Sequence, residues 1–392
     1  MSLTSIELFA GAGGLAIGMS RTGFEHAAVI EWDHDACETF RVNQRLHARG
    51  IKEWPLRECD ARSFDYSEIS NDVAVISGGP PCQPFSLGGK HRGHMDARDM
   101  FPEAVRAVRE LRPKAFIFEN VKGLLRESFS SYFEYVYLQL SHPEVTRRRS
   151  ETWNQHRERL ERYHTSRRNQ AAYNVVYRIL NAADYGVPQR RERVFIVGFR
   201  GDLGIEWSFP EPTNTEDSLL RAQWVTGDYW ERHRIARCHR PAPPVRLASR
   251  IERLRYGDFF EQNPWLTVRD AIADLPDPER FSRNGITNHI FIPGARIYPG
   301  HTGSPMDEPA KTLKAGDHGV PGGENMLARK DGSVRYFTVR EAARLQTFPD
   351  EYVFRGSWTE TMRQLGNAVP VLLAETVARS VAQTLQRAGI QG

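Results

Sequence analysis

The sequence contains no apolar run of the roughly 18 residues that a transmembrane helix needs, and we therefore expect no membrane span. It contains only four cysteines, Cys37, Cys59, Cys82 and Cys238, and none of them forms a closely spaced pair. This spacing argues against a disulfide scaffold and against a zinc site, so we predict a reduced, cytoplasmic protein without a metal. The first residues also lack the basic flank and the cleavable apolar stretch of a signal peptide.

Net charge is also small, at only +4. The positive charge is concentrated in two stretches: residues 232–255 carry eight arginines against the single acid Glu252, and residues 141–172 carry eight arginines against four glutamates. Clustered arginines are what neutralisation of nucleic-acid phosphates requires, but they also occur on solvated surfaces. Local acids such as Glu231 could equally hold the first cluster within its own domain, and both interpretations remain open.

Hydrophobic residues make up 40% of the chain and charged residues 26%, which is typical of a globular protein with two or three domains. Short apolar runs alternate with helical patterns over the first two hundred residues, and Phe101, Val105, Val108 and Leu111 share one helix face. Alternation of this kind predicts an α/β fold with a parallel, doubly wound sheet. The predicted strands are Ile6–Phe9, Ala27–Glu31, Val73–Ser77, Ala115–Glu119, Val175–Ile179 and Val194–Phe199.

The pattern changes after about Arg200, where prolines and glycines become frequent and helical periodicity fades. This middle section predicts a second, loop-rich domain with short strands. Helical periodicity returns at Val339–Phe348 and again from about Pro370 to the end. Residues 143–168 read as a polar, arginine-rich helical insertion between two core strands.

The ends of the predicted strands carry residues suited to a nucleoside cofactor. A glycine-rich turn, Phe9 to Leu15, follows the first strand, and glycines allow the backbone to approach a ligand. Glu31 ends the second strand and could bind both ribose hydroxyls, while the next residue, Trp32, could stack on adenine or pack in the core. Asp60 follows a probable third strand and could accept from an adenine amino group. The turn has no lysine for phosphates, which disfavours a nucleoside triphosphate.

Three further strand ends could carry chemistry. The sequence GGPPCQPFS places Cys82 after two rigid prolines, which favours a nucleophile over a buried structural thiol. The basic loop that follows, Leu87 to Gly93, could close on a phosphate backbone. Glu119 ends an apolar run, where its pKa could be raised. In QRRER, residues 189–193, one or more arginines should point into the same pocket.

The motifs FAGAGGL, GGPPCQPFS, ENV, QRRER, REAARLQTFPD and QLGNAVPV occur in this order, and together they resemble the bacterial DNA cytosine-5 methyltransferases of restriction–modification systems. The resemblance covers the first two hundred residues and the last sixty. It implies an S-adenosylmethionine-dependent methyltransferase sheet over residues 1–199 completed by 351–392. It also implies a smaller target-recognition domain over 200–335 and an interdomain support segment over 336–350.

The resemblance implies that a methyl group passes from S-adenosylmethionine to C5 of a flipped cytosine in a specific duplex sequence, leaving S-adenosylhomocysteine. Cys82 would add to C6, Glu119 would hold N3 and the exocyclic amine, Arg191 would bind O2, and Arg193 would support the site through Glu119 or the active-site loop. The implied cofactor residues are Phe9, Ala10, Gly11, Gly13, Gly14, Leu15, Glu31, Trp32, Asp60, Pro81, Asn367, Ala368 and Val369. The expected DNA contacts are Gln83, Ser86, Lys90, Arg92, Arg98, Arg296 and Thr312.

The expected partner is double-stranded DNA, bound by a monomer, with a cognate restriction endonuclease acting on the same site without a stable complex. One alternative is a tRNA cytosine-5 methyltransferase, although the middle section is larger than that family usually has. Another is a catalytically inactive DNA-binding protein, against which the intact Cys82, Glu119 and Arg191 argue. The insertion at 141–172 is absent from the most compact members, and its role remains open.

Overall fold

The computed structural model describes residues 3–47, 54–69, 72–81, 99–166, 171–257, 262–281, 285–299, 301–316 and 324–390. Some expected site residues lie outside these ranges: Cys82, Gln83, Ser86, Lys90, Arg92 and Arg98. None of the helices within the described ranges combines the length and apolar character needed to cross a membrane.

A seven-stranded sheet forms the centre of the fold, with strand order β3-β2-β1-β4-β5-β7-β6. All neighbouring strands pair in parallel except β7, which is antiparallel to both β5 and β6. The predicted α/β fold is confirmed, and the apolar runs identified in the sequence lie on its strands. Their bounds are β1 Leu3–Leu8, β2 Phe24–Glu31, β3 Leu56–Glu58, β4 Val75–Gly78, β5 Ala115–Val121, β6 Tyr173–Asn181 and β7 Glu192–Arg200.

Helices cover both faces of this sheet, as a doubly wound arrangement requires. Strand β5 shows the division: Phe116 and Phe118 pack with one cluster of helices, whereas Ala115 and Ile117 pack with the other. The first cluster contains α3 (Phe101–Leu111) and α4 (Ser130–Ser141), and the second contains α1 (Gly14–Arg21) and α12 (Val371–Arg387). Two further helices in this part of the chain are α2 (His34–Arg45) and α5 (Trp153–Thr165).

The middle section consists of short elements with a small apolar cluster of its own. Tyr229, Trp230 and Trp265 form the centre of that cluster. Other apolar residues of the section, including Val268, Ala310 and Leu313, instead share a core with residues of the first two hundred, such as Ala16 and Phe40. Its elements are β8 Asn214–Thr215, α6 Glu216–Trp224, α7 Asp228–Arg232, α8 Ala248–Tyr256, β9 Asn263–Pro264, α9 Val268–Ile272, β10 Ser304–Pro305, β11 Met326–Ala328 and β12 Val334–Tyr336.

After the middle section, α10 (Val339–Leu345), α11 (Trp358–Asn367) and α12 follow, and α12 packs against the large sheet. Thr338 caps α10 in a capping box with Glu341, and Arg335 pairs with the same glutamate at 2.6 Å. The buried Arg340 donates to carbonyls of Thr287, Pro349 and Tyr352. Arg340, within segment 336–350, therefore contacts both the middle section and the chain that follows the segment.

Candidate active site

A cavity of about 620 Å³ lies at the carboxyl ends of β1, β2, β4 and β5, where ligands of parallel sheets bind. Its size is typical of small-molecule sites. Gly13, expected to line the cavity, instead starts α1 in a left-handed conformation, with φ 82°, and its missing Cβ makes room for the ring of Phe40. The cavity walls include Phe9, Ala10, Gly11, Gly14, Leu15, Glu31, Trp32, Asp60, Pro81, Asn367, Ala368 and Val369.

The Glu31 carboxylate is buried at the edge of this cavity and accepts three backbone hydrogen bonds. Oε2 accepts from Gly11 N at 2.7 Å, and Oε1 accepts from Trp32 N at 2.9 Å and Asp33 N at 2.8 Å. Burial raises the pKa of Glu31, while these N–H groups lower it. The carboxylate thus ties the glycine-rich turn to the end of β2, and its orientation is fixed before any ligand arrives.

Trp32 is 72% exposed at the cavity wall, so the alternative that it packs in the core is wrong. An exposed indole beside a pocket offers a face on which a planar ring can stack. Asp60 caps a short turn, and Arg62 pairs with it at 2.5 Å and lowers the pKa of Asp60. Both residues line the cavity, so Asp60 presents an ionised carboxylate there.

The C-terminal motif, although far from the glycine-rich turn in sequence, forms another part of the cavity wall. Asn367, Ala368 and Val369 lie between α11 and α12 and all line it. The C-terminal motif lies close to the start of α1, because a Cβ atom on Gly14 would be 2.1 Å from the carbonyl oxygen of Val369. The cavity is therefore built from both ends of the chain.

Glu119 lies near the end of β5, is buried, and lines the cavity. Arg193 Nε on β7 is 2.9 Å from Glu119 Oε1, a close contact between two almost inaccessible side chains. Although the two atoms are close, no group in the described part of the chain donates a well-aligned hydrogen bond to that oxygen. Burial raises the pKa of Glu119, and the neighbouring guanidinium groups lower it.

Arg191 is not placed where the sequence analysis expected it. Its side chain is fully buried outside the cavity wall. It donates to the carbonyls of Leu313 at 3.0 Å, Gly366 at 2.7 Å and Ala368 at 2.9 Å. This arginine therefore joins the middle section to the C-terminal motif, and Arg193 is the member of QRRER that lines the cavity.

The proline turn before Cys82 is held against the ENV segment. Asn120 Nδ2 donates to the Pro80 carbonyl at 2.8 Å, and Met100 N donates to the Pro81 carbonyl at 3.0 Å. Gly79 lies against the Glu119 carboxylate, since a Cβ there would be 3.4 Å from Oε2. Residues 79–81, which directly precede Cys82 in the sequence, therefore lie beside Glu119 and Asn120.

Glu7 is a cavity residue that the sequence analysis missed. It lies within β1, is 1% exposed, and accepts a hydrogen bond from Ser77 on β4. Burial raises its pKa to about 8, so it carries a proton at neutral pH. An acid inside the apolar run of a central strand was the available signal.

The two recognition residues expected in the middle section differ in exposure. Arg296 is exposed, next to the exposed side chains of Ile297 and Tyr298. Thr312 is half-buried, and its hydroxyl donates to the Arg190 carbonyl at 2.7 Å. Thr312 therefore anchors its strand-like segment to the QRRER motif.

The family model of C-5 cytosine-specific DNA methylases matches residues 3–143 and 154–383. The chain belongs to this family. It is a DNA cytosine-5 methyltransferase of the restriction–modification type, as the resemblance implied. Residues 144–153, inside the arginine-rich insertion, are the internal stretch that the family model does not match.

Similar proteins support this assignment along the whole chain. The chain is 31% identical to the Type II methyltransferase M.Eco47II of Escherichia coli, over 98% of this chain and 80% of that protein. It is 29% identical to M.NgoMIV of Neisseria gonorrhoeae, over 99% of each. A DNA modification methyltransferase encoded within an E. coli prophage shares the fold, with a TM-score of 0.59 and 20% identity over 98% and 100% of the two chains. A Spodoptera frugiperda DNMT2 mutant has a TM-score of 0.58 and 15% identity, over 97% and 99%.

Proposed function

We propose that the protein transfers a methyl group from S-adenosylmethionine to C5 of a cytosine flipped out of a specific DNA duplex sequence, through a covalent Cys82–C6 adduct. The observation that carries this proposal is the buried Glu119–Arg193 pair, which lines the cavity beside the turn that precedes Cys82 in the sequence. A buried carboxyl group and a guanidinium group can together form hydrogen bonds with N3, the exocyclic amine and O2 of cytosine.

The cavity fits S-adenosylmethionine on its own observations. Glu31 has fixed carboxylate oxygens for ribose hydroxyls, Trp32 has an exposed face for adenine, and Gly11 and Gly14 leave the backbone open to a ligand. Asp60 would accept from the adenine amino group, and Asn367 to Val369 would hold the opposite end of the cofactor. When bound, the cofactor supplies an electrophilic methyl group.

Cys82 is the proposed nucleophile because C5 of cytosine is too weakly nucleophilic by itself. Addition of the thiolate to C6 forms a C–S bond and makes C5 enamine-like. After C5 has been methylated, loss of the C5 proton and of the thiolate restores the aromatic ring and the free cysteine. Pro80 and Pro81 restrict the chain that delivers this thiol.

Glu119 would protonate N3 and accept from the exocyclic amine. Burial favours its neutral form, which can donate. We assign the contact with cytosine O2 to Arg193 rather than Arg191, because Arg193 lines the cavity whereas the hydrogen bonds of Arg191 are taken by carbonyls. A fixed guanidinium aimed at the oxygen where negative charge develops lowers the barrier of the addition step.

We further propose that the enzyme acts as a monomer and that a separate restriction endonuclease acts on the same site. Gln83, Ser86, Lys90, Arg92 and Arg98 would contact DNA around the target base. Arg296 is the leading reader of base edges in the middle section because it is exposed, whereas Thr312 would act through the segment that it anchors.

A covalent trap tests this proposal. A duplex containing 5-fluorocytosine cannot lose a proton from C5, so wild-type protein with S-adenosylmethionine should give a stable protein–DNA adduct. Cys82→Ala should give no adduct while still binding the cofactor by calorimetry. Methyl transfer to a tRNA pool but not to duplex DNA would overturn the DNA assignment, and an adduct formed by Cys82→Ala would overturn the nucleophile.

A further inference from the structure

The insertion after α4 carries three consecutive arginines, Arg147 to Arg149, in a turn that leads into α5. All three are exposed, and no ion pair to any of them is present in the described part of the chain. The nearest acid, Glu151, is already neutralised: Arg159 contacts both of its oxygens at 2.8 Å, and Arg148 N donates to it at 3.0 Å. The backbone of the turn is thus fixed by Glu151, while its three guanidinium groups have no ion-pair partner among the described residues.

The packing of α5 shows which edge of the sheet this turn faces. Tyr135, in the middle of α4, contacts Trp153 and His156 near the start of α5, and His142, just after α4, contacts His164 near the end of α5. The two helices therefore run in parallel. Because α4 follows the carboxyl end of β5 after residues 122–129, the start of α5 is the end of that helix nearer to the cavity edge of the sheet.

The segment before α5 returns to that edge along α5. The Val145 carbonyl accepts from His156 Nε2 at 2.8 Å, and the Thr146 carbonyl accepts from Arg159 at 2.8 Å. Burial raises the pKa of Tyr135 to about 12, the charge of Arg147 opposes this rise, and the charge of Asp99 adds to it. Asp99 immediately precedes Met100, which lines the cavity and bonds to Pro81.

The turn therefore lies on the side of the molecule where the substrate must approach. Its residues also fall within 144–153, the internal stretch that the family model does not match. We propose that Arg147, Arg148 and Arg149 form a phosphate-binding surface that contacts the DNA backbone flanking the target cytosine. This inference rests on the proposed function in one respect, that the substrate is duplex DNA.

Three free guanidinium groups on a short turn suit the closely spaced charges of a duplex backbone, and they would read no bases. Each phosphate contact releases counterions, so the slope of log affinity against log salt should change by about 0.9 per contact. The turn should therefore add to affinity without adding to sequence preference.

The test compares wild-type protein with the triple variant R147Q/R148Q/R149Q, measuring affinity for a methylatable duplex at several salt concentrations. We expect the salt slope to fall by roughly 2 to 3. The triple lysine variant, which keeps the charge, should retain most of the slope. A matched variant of equal charge, R45Q/R379Q/R387Q, removes exposed arginines on α2 and α12 and should leave the slope unchanged. Thermal melting confirms that each variant is folded.

Shortening the duplex on either side of the target gives a second readout. Removal of one flank should weaken wild-type binding and leave the glutamine variant unaffected. An unchanged salt slope in a folded glutamine variant, with methyl transfer by the wild type intact, would overturn the phosphate-binding surface and leave the proposed function standing. Wild-type protein that shows the full slope but transfers no methyl group to DNA would instead overturn the proposed function alone.

Discussion

Arg191 and Arg193 are two residues apart in one motif, but their side chains make different contacts. Arg191 donates to buried carbonyls, whereas Arg193 lines the cavity beside Glu119. Replacing Arg193 by alanine should lower the single-turnover methylation rate about 100-fold or more, because a donor to developing charge is lost. Replacing Arg191 by alanine should remove a donor from three buried carbonyls, of which that of Ala368 keeps a longer hydrogen bond from Gln346 Nε2 at 3.4 Å, and should destabilise the fold by about 3 kcal/mol. Urea unfolding and single-turnover kinetics on both variants separate these effects. Equal loss of stability in the two would contradict the division.

The sequence could not distinguish these two arginines. Residues two apart lie on the same face of a strand, so both were equally eligible for the pocket. What separates them is contact with carbonyls of Leu313, Gly366 and Ala368, which are more than 120 residues away along the chain. By contrast, Glu31, Trp32 and Glu119 could be located because each directly ends or follows an apolar strand.

Glu119 should act through its neutral form. Burial raises its pKa, so the fraction able to donate a proton falls as pH rises through that raised value, and kcat/KM should decline on the alkaline side. Glu119→Gln keeps the shape but cannot supply the proton, and we expect a loss of about 100-fold or more with a flattened pH profile. A pH–rate profile of wild type and variant checks this. A variant that only binds DNA more weakly, with its single-turnover rate preserved, contradicts the role.

Glu7 should make the folded protein less stable as pH rises. Its pKa is raised from 4.5 to about 8, so above pH 4.5 the unfolded chain releases a proton that the folded chain keeps. The cost grows through this window and is fully present above pH 8, at most about 5 kcal/mol. Glu7→Gln still accepts from Ser77 and has no such cost. Unfolding curves should show that the free energy of unfolding of the variant, relative to that of wild type, is larger at pH 8 than at pH 5. The same difference in free energy at both pH values would contradict the burial of a protonated acid.

At the level of elements, contact between α1 and α12 couples the C-terminal motif to the first strand. A Cβ on Gly18 would lie 2.6 Å from both Cβ of Ala374 and N of Glu375. Gly18→Ala gains about 1 kcal/mol of helix propensity but loses about 1–3 kcal/mol to overpacking. Because residues 367–369 directly precede α12, we also expect weaker S-adenosylmethionine binding.

The matched control for Gly18 is Gly257→Ala, where the added Cβ would meet only Arg253 O at an ordinary 3.6 Å. Calorimetry and thermal melting should show losses in the first variant and little change in the second. If Gly18→Ala binds cofactor with wild-type affinity, the displacement of α12 does not reach the cavity.

The elements of the sheet could be predicted because parallel strands buried on both faces appear as continuous apolar runs. The edge strands show the limits: β3 is only three residues long, and β6 extends from Tyr173 to Asn181, beyond the apolar residues that marked it. The middle section could not be predicted in the same way. Its strands of two or three residues carry no periodicity, and contacts such as that of Val268 with the catalytic core are set by the whole fold.

At the scale of the whole molecule, six of the eight arginines of residues 232–255 form two groups; of the other two, Arg255 pairs with Glu252 at 3.4 Å and Arg240 donates to the Ile235 carbonyl at 3.1 Å. Arg232 pairs with Asp270 at 2.7 Å, and Arg250 pairs with both Glu216 at 2.8 Å and Asp217 at 2.6 Å. These two, the paired arginines, form ion pairs within the middle section. The exposed arginines have no ion pair within the described residues: Arg234, Arg237, Arg246 and Arg253. The two interpretations left open by the sequence, local pairing and a DNA-facing surface, therefore apply to different residues of one cluster.

This division predicts opposite outcomes for two sets of glutamine variants. Removing the exposed arginines should weaken binding to cognate and scrambled duplexes alike and lower the salt slope by up to about 0.9 per residue, because counterion release is lost. Removing the paired arginines should change that slope little and instead lower unfolding stability by up to about 1 kcal/mol each, as partly exposed ion pairs contribute little. Titrations at two salt concentrations and urea unfolding measure both quantities. An unchanged slope after all four exposed arginines are removed would mean that this face of the middle section points away from DNA, and sequence-independent affinity would then have to come from the loop at 87–93 and the turn at 147–149.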